Sequence, residues 1–555
     1  MINNIEAILF DMGGTLRGSR KSTESEKQNA IVGIMKIAGV EASPVEFASL
    51  LNQRAYNYKK WAEETFIELT EEELWTKWML PDCLEPLVHQ HAIELNQLYR
   101  DSINRRTVFP ETKEVVINLF RRGYRLGLVS NTTSSVEVPA ALKELNISGC
   151  FETVILSAVI GKRKPDPSIL LEAIQRMGVS AEKCVYIGDR VERDVYAAKK
   201  AGFAMTIIIA DPANPEGQLV KDPSLAPDYF VNNLTDLLNI FPVLSKNYLK
   251  PKYNAAFSTM WAIKNFPALA DFFESSRRLG FAAVELNHLV NSAMLEHADM
   301  SVMPISSIHE PCPADISAEA LKEKDYLISS TNEEFRIKGV HSIKRSIDIA
   351  KRFGASLIVI HAGHVQPQKH HENLLRSMIA AGTDSTAEYK TIRDGMIKLR
   401  SELAVPHFES VKKSVRELLD YAIPLGIRLG IEVRYHFMEI PSPDELEILL
   451  NMATPEQIGF IYDVGHAQTL DRLGFYPHQE WLDRFASRII ETHMHDVLGT
   501  TDHLAPGMGE VDFDMVARYL PLNAIRTCEF QEFNTVEQVK SGLNYLLEKG
   551  CIFPV

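Results

Sequence analysis

Several features that would place this chain in a membrane, outside the cell or on nucleic acid are scarce or missing. Its 555 residues contain no run of about eighteen apolar residues, so we expect no membrane-spanning helix. The first residues lack the basic and apolar regions of a secretion signal. The six cysteines are scattered without a Cys-x-x-Cys pair, which indicates reduced thiols and a cytoplasmic protein.

An excess of positive charge is also missing. The formal net charge of −14 argues against nucleic-acid binding, because phosphate contacts need clustered lysine and arginine. The composition is otherwise that of a globular protein, with 45% hydrophobic and 24% charged residues. We therefore expect small-molecule partners, phosphorylated or polyhydroxylated, and neither nucleic acid nor membrane. The sequence leaves a homodimer open.

Histidine is nearly absent from the first half, where only His89 and His91 precede residue 250. A chain of this length exceeds one hydrophobic core, so two or three domains are expected. The first domain must work with carboxylates and lysine, and the second with imidazole. We predict a first domain over residues 1–240 with a helical cap at about 17–108, a linker at 241–253 and a second domain at 254–555.

Short apolar runs in the first half end in residues suited to phosphate chemistry. The run Ile5–Phe10 leads into Asp11 and two glycines, where an open backbone can receive phosphate or magnesium. Two further runs lead to Ser130 and to Asp189, and Lys164 lies in a loop before a helix. A nucleophilic aspartate, a hydroxyl, a lysine and a paired acidic loop are what phosphoryl transfer through an aspartyl phosphate requires.

In that order and spacing, these motifs resemble the haloacid dehalogenase superfamily of phosphohydrolases over roughly residues 1–240. The resemblance implies a Rossmann-like, doubly wound α/β domain whose helical cap gates the site. It implies Asp11 as nucleophile, Ser130 as phosphate binder and Lys164 as the neutralising cation. The implied Mg2+ ligands are Asp11, the Gly13 carbonyl, Asp189 and Asp194. Asn131 is implied to contact the substrate.

Gly13 departs from the pattern of this family. Its phosphatases usually carry a second aspartate two residues after the nucleophile, which acts as general acid and base, and this chain has glycine there. Losing a positioned general acid is expected to cost on the order of a hundredfold or more in rate, and less for good leaving groups. The domain is therefore either a slowed phosphatase or a degenerate one kept for regulation or as a scaffold.

From residue 254 onward, short apolar runs alternate with amphipathic helices, which fits a (β/α)8 TIM barrel. The eight runs begin near residues 256, 282, 302, 357, 429, 460, 489 and 525. Carboxylates and imidazoles recur at or just past their C-terminal ends, where such barrels keep their chemistry. These residues are Glu285, His309, His361, Glu432, Asp463, His466, His493 and Glu529. Imidazole and carboxylate together suit zinc, manganese or iron.

This layout resembles the xylose isomerase-like barrels, which include sugar-phosphate isomerases, epimerases and endonuclease IV, over about residues 254–550. The resemblance rests on Ile431-Glu432-Val433-Arg434-Tyr435, Asp463-Val464-Gly465-His466-Ala467 and His493-Met494-His495-Asp496. It implies that Glu432, Asp463, His493 and Glu529 bind Zn2+ or Mn2+. His493 is preferred to His495 because the family's ligand lies three residues before the acid, here Asp496.

Four further histidines match positions that bind additional zinc in the endonuclease branch or contact substrate in epimerases: His309, His361, His466 and His503. Arg434 is expected either to hold a substrate phosphate or carboxylate or to pair with an acid such as Glu439. Thr501 stands where the endonuclease branch has a metal-binding aspartate, which makes a third metal and DNA repair a poor fit.

Two mechanisms are compatible with the barrel. In an isomerase or epimerase, one metal would chelate two adjacent substrate oxygens, with Glu432 and Glu529 as ligand and base on opposite faces. In a hydrolase, two metals would share Glu432 and activate water toward a phosphoester or an amide, as in a cobamide. The sequence predicts a bifunctional enzyme, a phosphatase with a sugar or sugar-phosphate isomerase. The alternative is a metallohydrolase with a regulatory phosphatase-like domain.

Overall fold

The computed structural model describes residues 4–83, 85–210, 215–244, 250–366 and 369–555. It divides into two compact units, Met1–Asn247 and Tyr248–Val555, each with its own main sheet. Within the predicted linker, residues 245–249 lie outside the described part. None of the described helices is long and apolar enough to cross a membrane.

The first unit contains a six-stranded parallel sheet in the order β5-β4-β1-β6-β7-β8 and a separate two-stranded ribbon. Its strands are β1 (Ala7–Phe10), β2 (Arg17–Lys21), β3 (Asn104–Val108), β4 (Arg125–Ser130), β5 (Phe151–Leu156), β6 (Cys184–Gly188), β7 (Met205–Ile209) and β8 (Tyr229–Val231). Its helices are α1 (Glu24–Ala38), α2 (Pro44–Thr65), α3 (Glu71–Leu74), α4 (Glu85–Gln90), α5 (Ala92–Ile103), α6 (Thr112–Arg121), α7 (Glu137–Glu144), α8 (Ser157–Ile160), α9 (Ser168–Met177), α10 (Tyr196–Lys200) and α11 (Leu237–Ile240). Strands β1 and β6 are fully buried, as expected for a sheet covered on both faces.

The neighbouring strands β4, β1 and β6 explain why distant residues meet. All three run in the same direction, so their C-terminal ends lie at one edge of the sheet. Asp11 follows β1, Ser130 ends β4 and Asp189 follows β6. The edge predicted from the sequence to carry phosphate chemistry is therefore continuous in space.

Helices α1 to α5 follow β2 and precede β3 along the chain. The two strands pair antiparallel from Arg17↔Val108 to Lys21↔Asn104. The helices form a hydrophobic core of their own around Leu51 and Trp75. Helix α1 begins at a capping box, in which Thr23 and Glu26 satisfy each other's backbone N–H groups. These helices occupy the segment for which we predict a cap.

The second unit is a closed barrel of eight parallel strands, in the order β10-β11-β12-β13-β14-β15-β18-β9. Its strands are β9 (Ala256–Ser258), β10 (Ala283–Leu286), β11 (Ile305–His309), β12 (Leu357–Ile360), β13 (Arg428–Glu432), β14 (Ile458–Asp463), β15 (Ile489–Met494), β16 (Asp496–Leu498), β17 (Thr501–Leu504) and β18 (Ile525–Cys528). Its helices are α12 (Leu269–Leu279), α13 (Ser292–Glu296), α14 (Ala318–Glu323), α15 (Glu333–Phe353), α16 (His370–Ala380), α17 (Ala387–Ala422), α18 (Pro443–Leu450), α19 (Val464–Arg472), α20 (His478–Phe485), α21 (Phe513–Tyr519) and α22 (Val536–Glu548). Strands β16 and β17 form a hairpin outside the barrel. The predicted fold class, a doubly wound domain followed by a (β/α)8 barrel, is confirmed.

Apolar side chains fill the barrel and set which side chains point inward. Leu357, Val359 and Ile461 belong to one buried cluster. Side chains alternate along a strand, so His361 and Asp463 share the inward face with these residues. A Cβ at Gly430 would lie 2.3 Å from Ile461 Cδ1, so glycine there leaves room for the isoleucine. The packed interior thus delivers the ligand-type residues to the mouth of the barrel.

Candidate metal centres in both units

Three carboxylates of the first unit converge on one guanidinium group. Arg193 Nη2 lies 2.6 Å from Asp11 Oδ2 and 2.8 Å from both Asp189 Oδ1 and Asp194 Oδ2. Lys164 Nζ lies 2.9 Å from Asp11 Oδ1 and 3.0 Å from Asp194 Oδ1. Burial raises the pKa of Asp189 to about 7 against the opposing charge of Arg193. Burial also disfavours ionised Asp194, but the charges of Arg193 and Lys164 outweigh it and lower its pKa.

The remaining predicted residues surround this cluster. Ser130 is buried at the end of β4. The Asn131 side chain donates to the Lys164 carbonyl at 2.8 Å and accepts from the Lys164 amide at 2.9 Å, which fixes the lysine loop against the strand end. A Cβ added at Gly13 would meet nothing within 4 Å, so the space beside Asp11 is open.

The first cluster fits a magnesium ion by its chemistry. Asp11, Asp189 and Asp194 bring ligand atoms within 4.8 Å of one another, and carboxylate oxygens are the donors that Mg2+ prefers. The cationic Arg193 lies between these oxygens and stands in for a metal cation there. Sequence reasoning missed Arg193, although its place immediately before Asp194 was the available signal.

The barrel brings together the four residues of the predicted quartet. His493 Nδ1 lies 2.9 Å from Glu432 Oε1, 3.1 Å from Glu529 Oε2 and 3.7 Å from Asp463 Oδ2. Ligand atoms around a tetrahedral ion with bonds of about 2.0–2.1 Å lie roughly 3.3 Å apart, which these distances bracket. All four side chains are buried. Within the described part of the chain, His493 Nδ1, Glu432 Oε1 and Glu529 Oε1 have no hydrogen-bond partner.

The other ring nitrogen of His493 is held by a carboxylate that lies outside the quartet. His493 Nε2 is 3.1 Å from Glu285 Oε2, so the N–H points at Glu285 and the lone pair of Nδ1 faces the quartet. Metal-binding histidines usually donate their second N–H to a carboxylate in this way. Glu285 contacts Ser307 and lies near Glu491, whose pKa is raised to about 7 by burial and by the charge of Glu285. The quartet fits Zn2+ or Mn2+, which take mixed nitrogen and oxygen donors.

Two histidines extend the site on the far side of Glu432. His361 Nε2 lies 3.0 Å from Glu432 Oε2 and 3.2 Å from His309 Nε2. His309 Nδ1 donates to the Glu310 carbonyl at 3.1 Å, so only its Nε2, which faces His361, can bind a cation, and it must lose its proton to do so. Burial lowers the pKa of His309, but the neighbouring Glu432 and Glu529 outweigh it and raise the pKa to about 9.

A third group lies around Asp463 and includes His466, His495 and His503. His495 Nδ1 accepts from the His503 amide at 2.9 Å, so its Nε2 must carry the proton that points to Asp463 Oδ1 at 2.9 Å. His495 therefore orients Asp463 and offers no lone pair there. A Cβ at Gly465 would lie 2.0 Å from His495 Cε1, so only glycine admits this ring.

The other predicted residues lie beside the same carboxylates. His466 Nδ1 donates to the Val433 carbonyl at 2.9 Å, which leaves its Nε2 unprotonated. His503 Nε2 is 3.7 Å from Glu529 Oε2. Arg434 contacts Glu432 directly, and its Nε lies 3.6 Å from Glu439 Oε2. Of the two roles weighed for Arg434, pairing with a barrel acid is the one visible in the contacts.

Comparison with known proteins assigns both units. Residues 5–202 match the model of the haloacid dehalogenase-like hydrolases, and residues 273–548 match that of the xylose isomerase-like TIM barrels. The chain joins a haloacid dehalogenase-like hydrolase domain to a xylose isomerase-like TIM barrel.

Relatives of known function and solved structures are similar to parts of the chain. A glyceraldehyde 3-phosphate phosphatase of Methanopyrus kandleri is 28% identical over 44% of this chain and 100% of its own length. A phosphoglycolate phosphatase of Nitrosococcus oceani is 33% identical over 26% of this chain and 61% of its own length. The crystal structure of a D-tagatose 3-epimerase-like protein covers 53% of this chain and 96% of its own at 18% identity, with a TM-score of 0.39.

Proposed function

We propose that the chain is a bifunctional enzyme, with a Mg2+-dependent phosphatase in the hydrolase domain and a metal-dependent sugar or sugar-phosphate isomerase or epimerase in the barrel. The phosphatase proposal is supported by two contacts of Asp11. Its carboxylate contacts Lys164, and it also contacts Arg193, which in turn contacts Asp189 and Asp194. Curated relatives with phosphatase activity on glyceraldehyde 3-phosphate and phosphoglycolate also support it and suggest a small phosphorylated metabolite.

The roles of the hydrolase residues follow from their positions. Bound Mg2+ would neutralise charge on the phosphoryl oxygens. Asp11 attacks phosphorus, the ester oxygen leaves, and water then hydrolyses the aspartyl phosphate. Lys164 contacts and orients Asp11, and Ser130 donates to the phosphoryl group. Gly13 offers no proton to the leaving oxygen, so solvent must supply it, and esters of acidic alcohols should react fastest.

Replacing Asp11 with asparagine tests the phosphatase. Hydrolysis of p-nitrophenyl phosphate by the full chain in MgCl2 is expected to fall at least about a thousandfold, because the nucleophile is lost. The exposed acid Asp222 provides the control, since Asp222→Asn should leave the rate unchanged. Equal rates for Asp11→Asn and the natural chain would reject the proposed role of Asp11.

Replacing Arg193 with glutamine is expected to tighten Mg2+ binding. The guanidinium lies between the three carboxylates, so a cation must displace it, and removing the competitor should lower the Mg2+ dissociation constant by about tenfold. Titration calorimetry measures this dissociation constant on the full chain after the metal site of the barrel has been saturated. Arg190→Gln is the control, because Arg190 is exposed and lies 3.7 Å from Asp189. An unchanged or weaker affinity for Arg193→Gln would contradict the competition.

For the barrel, the isomerase proposal is carried by the position of Glu432 and Glu529 on one nitrogen of His493, at 2.9 and 3.1 Å. A substrate between these carboxylates meets one of them on each side, so one can take a proton from carbon and the other can return a proton from the opposite face, as epimerisation requires. A bound Zn2+ or Mn2+ would acidify the C–H group next to the substrate oxygens. In this function, His309, His361 and His466 bind substrate oxygens, and Arg434 stays paired with Glu432 and Glu439.

A second candidate function, hydrolysis of a phosphoester or amide, is favoured by the pair His309 and His361. His361 Nε2 lies 3.0 Å from Glu432 Oε2 and 3.2 Å from His309 Nε2. This spacing is suitable for a second cation next to the quartet. Glu432 would then bind both ions, and the site would hold water for attack as well as substrate. The regulatory interpretation of the hydrolase domain belongs to this second candidate.

Metal content of a His361→Gln variant separates the two candidates. In the isomerase, the natural full chain and the variant should each retain one equivalent of zinc or manganese in the barrel, because His361 lies outside the quartet. In the hydrolase, the natural chain should hold at least two equivalents and the variant about one fewer, since His361 completes the second position. Elemental analysis after dialysis in the absence of Mg2+ measures the ratio. His371→Gln, an exposed histidine on α16, is the control.

A further inference from the structure

One buried carboxylate in the hydrolase domain is shared by three arginines. Arg17 Nη2 and Arg106 Nε each lie 2.9 Å from Glu137 Oε1, and Arg100 Nη2 contacts Glu137 Oε2. The side chains of Arg17, Arg100 and Glu137 are no more than 15% exposed. Three positive charges against one negative charge leave two charges uncompensated. Because unpaired charge is costly to bury, the cluster favours a further anion.

The neighbouring groups do not supply that anion. Glu68, the next acid whose charge acts on Arg100, lies 3.3 Å from Arg163 and is paired there. The carboxylates around Asp11 are already in contact with Lys164 and Arg193. In the part of the domain that the structure describes, the Nε groups of Arg17 and Arg100 are buried without a hydrogen-bond acceptor. Donor capacity and positive charge are therefore both left over.

Two of these arginines, Arg100 and Arg106, border a cavity that begins at the phosphate edge of the sheet. The cavity measures about 290 Å³ and is lined by Arg100, Arg106 and Arg163 together with Asn131 and Thr133. Asn131 follows Ser130, holds the Lys164 loop and lines the cavity, so this wall of the cavity adjoins the predicted phosphoryl site. A phosphomonoester bound at Asp11 would extend its leaving group into this space.

We propose that Arg100 and Arg106 bind a second anionic group, a carboxylate or phosphate on the leaving group of the phosphatase substrate, and that Arg17 adds to the positive charge of the cluster through their shared partner Glu137. The inference rests on the proposed phosphatase function and adds its substrate class. Arg100 comes from the cap helix α5, Arg17 and Arg106 from the ribbon β2–β3, and Glu137 from α7 of the core. Binding of such a substrate therefore depends on the cap, the ribbon and the core together. A phosphate ester of the same size with an uncharged leaving group should bind more weakly.

A pair of matched esters tests the proposal. 3-Phosphoglycerate and glycerol 3-phosphate differ in a carboxylate against a hydroxymethyl group. Titration calorimetry uses the full chain as Asp11→Asn with Mg2+, so that turnover does not interfere. The carboxylate ester is expected to bind about ten- to a hundredfold more tightly, as for a charged hydrogen bond. Propane-1,3-diol bisphosphate against its monophosphate is the second arm, and the larger preference identifies the natural anion.

Arginine variants connect the preference to the cluster. Arg106→Gln is used because its side chain is 32% exposed and its loss should be tolerated, whereas Arg100 is more deeply buried. In the Asp11→Asn background it should reduce the preference to about threefold or less. Arg105→Gln is the control, since the neighbouring Arg105 pairs with Asp101 and does not line the cavity. It should keep the full preference.

Failure of this inference differs from failure of the proposed function. Equal binding of both members in both pairs, or a preference that survives in Arg106→Gln, overturns the second anion site while the phosphatase stands. Absence of binding by every ester, together with absence of p-nitrophenyl phosphate hydrolysis by the natural chain, overturns the phosphatase and this inference with it.

Discussion

Replacing Glu432 with glutamine is expected to remove bound transition metal from the barrel and to lower its turnover on the order of a thousandfold. Glu432 lies between two groups of ligands, 2.9 Å from His493 Nδ1 and 3.0 Å from His361 Nε2. Glutamine preserves the shape of the side chain but removes its charge and offers only one oxygen. Both the quartet and the neighbouring histidine pair therefore lose a shared donor.

Elemental analysis of the dialysed full chain measures the metal, and a panel of ketoses, aldoses and their phosphates measures turnover. Glu510→Gln is the control, because Glu510 is an exposed carboxylate of the same unit. Arg434 keeps Glu439 at 3.6 Å in the variant, so the barrel should still fold, which its thermal unfolding can verify. A folded Glu432→Gln chain that retains its full metal content would refute the quartet.

The strands could be predicted because buried parallel strands have a simple pattern. The apolar run at residues 459–462 predicts a buried strand that ends at Asp463, and β14 covers Ile458–Asp463. Which residues follow a strand is likewise visible in the sequence. In a parallel barrel this places them at one end, so convergence of Glu432, His493 and Glu529 could be expected.

Orientation within the site could not be predicted, because it depends on partners far away in the chain. Glu285 fixes the tautomer of His493 across 208 residues. His495 and His493 are alike in sequence context, yet the amide of His503 assigns His495 to hold Asp463. Arg193 was missed for a different reason, since an arginine in an acidic loop is usually solvated. Only the fold aims it back between three carboxylates.

The arginines around Glu137 illustrate the same limit for charge. The formal net charge of −14 argues against nucleic-acid binding but gives no position for a local positive site. Arg17 is distant along the chain from Arg100 and Arg106, which are near neighbours, and the pairing of β2 with β3 brings it to them. Total charge therefore describes the surface as a whole and cannot locate a buried cluster.

Replacing Gly13 with aspartate is expected to raise the phosphatase rate on esters of simple alcohols by about a hundredfold. A Cβ at Gly13 meets nothing within 4 Å and the backbone there lies outside the left-handed region, so an aspartate can be accommodated beside Asp11. Its carboxyl group would give a proton to the leaving oxygen and then take one from the attacking water. p-Nitrophenyl phosphate, whose leaving group needs no proton, should gain about tenfold or less.

The comparison of the two esters is the decisive part of this experiment. Steady-state rates with glycerol 3-phosphate and p-nitrophenyl phosphate are measured for the natural chain, Gly13→Asp and Gly13→Asn. Asparagine has the size of aspartate and cannot act as the acid, so it should give no gain. A selective gain for the alkyl ester in Gly13→Asp alone means that the domain holds all the other groups for phosphoryl transfer. An equal lack of activity in all three chains would instead favour the regulatory interpretation, because restoring the acid would then have restored nothing.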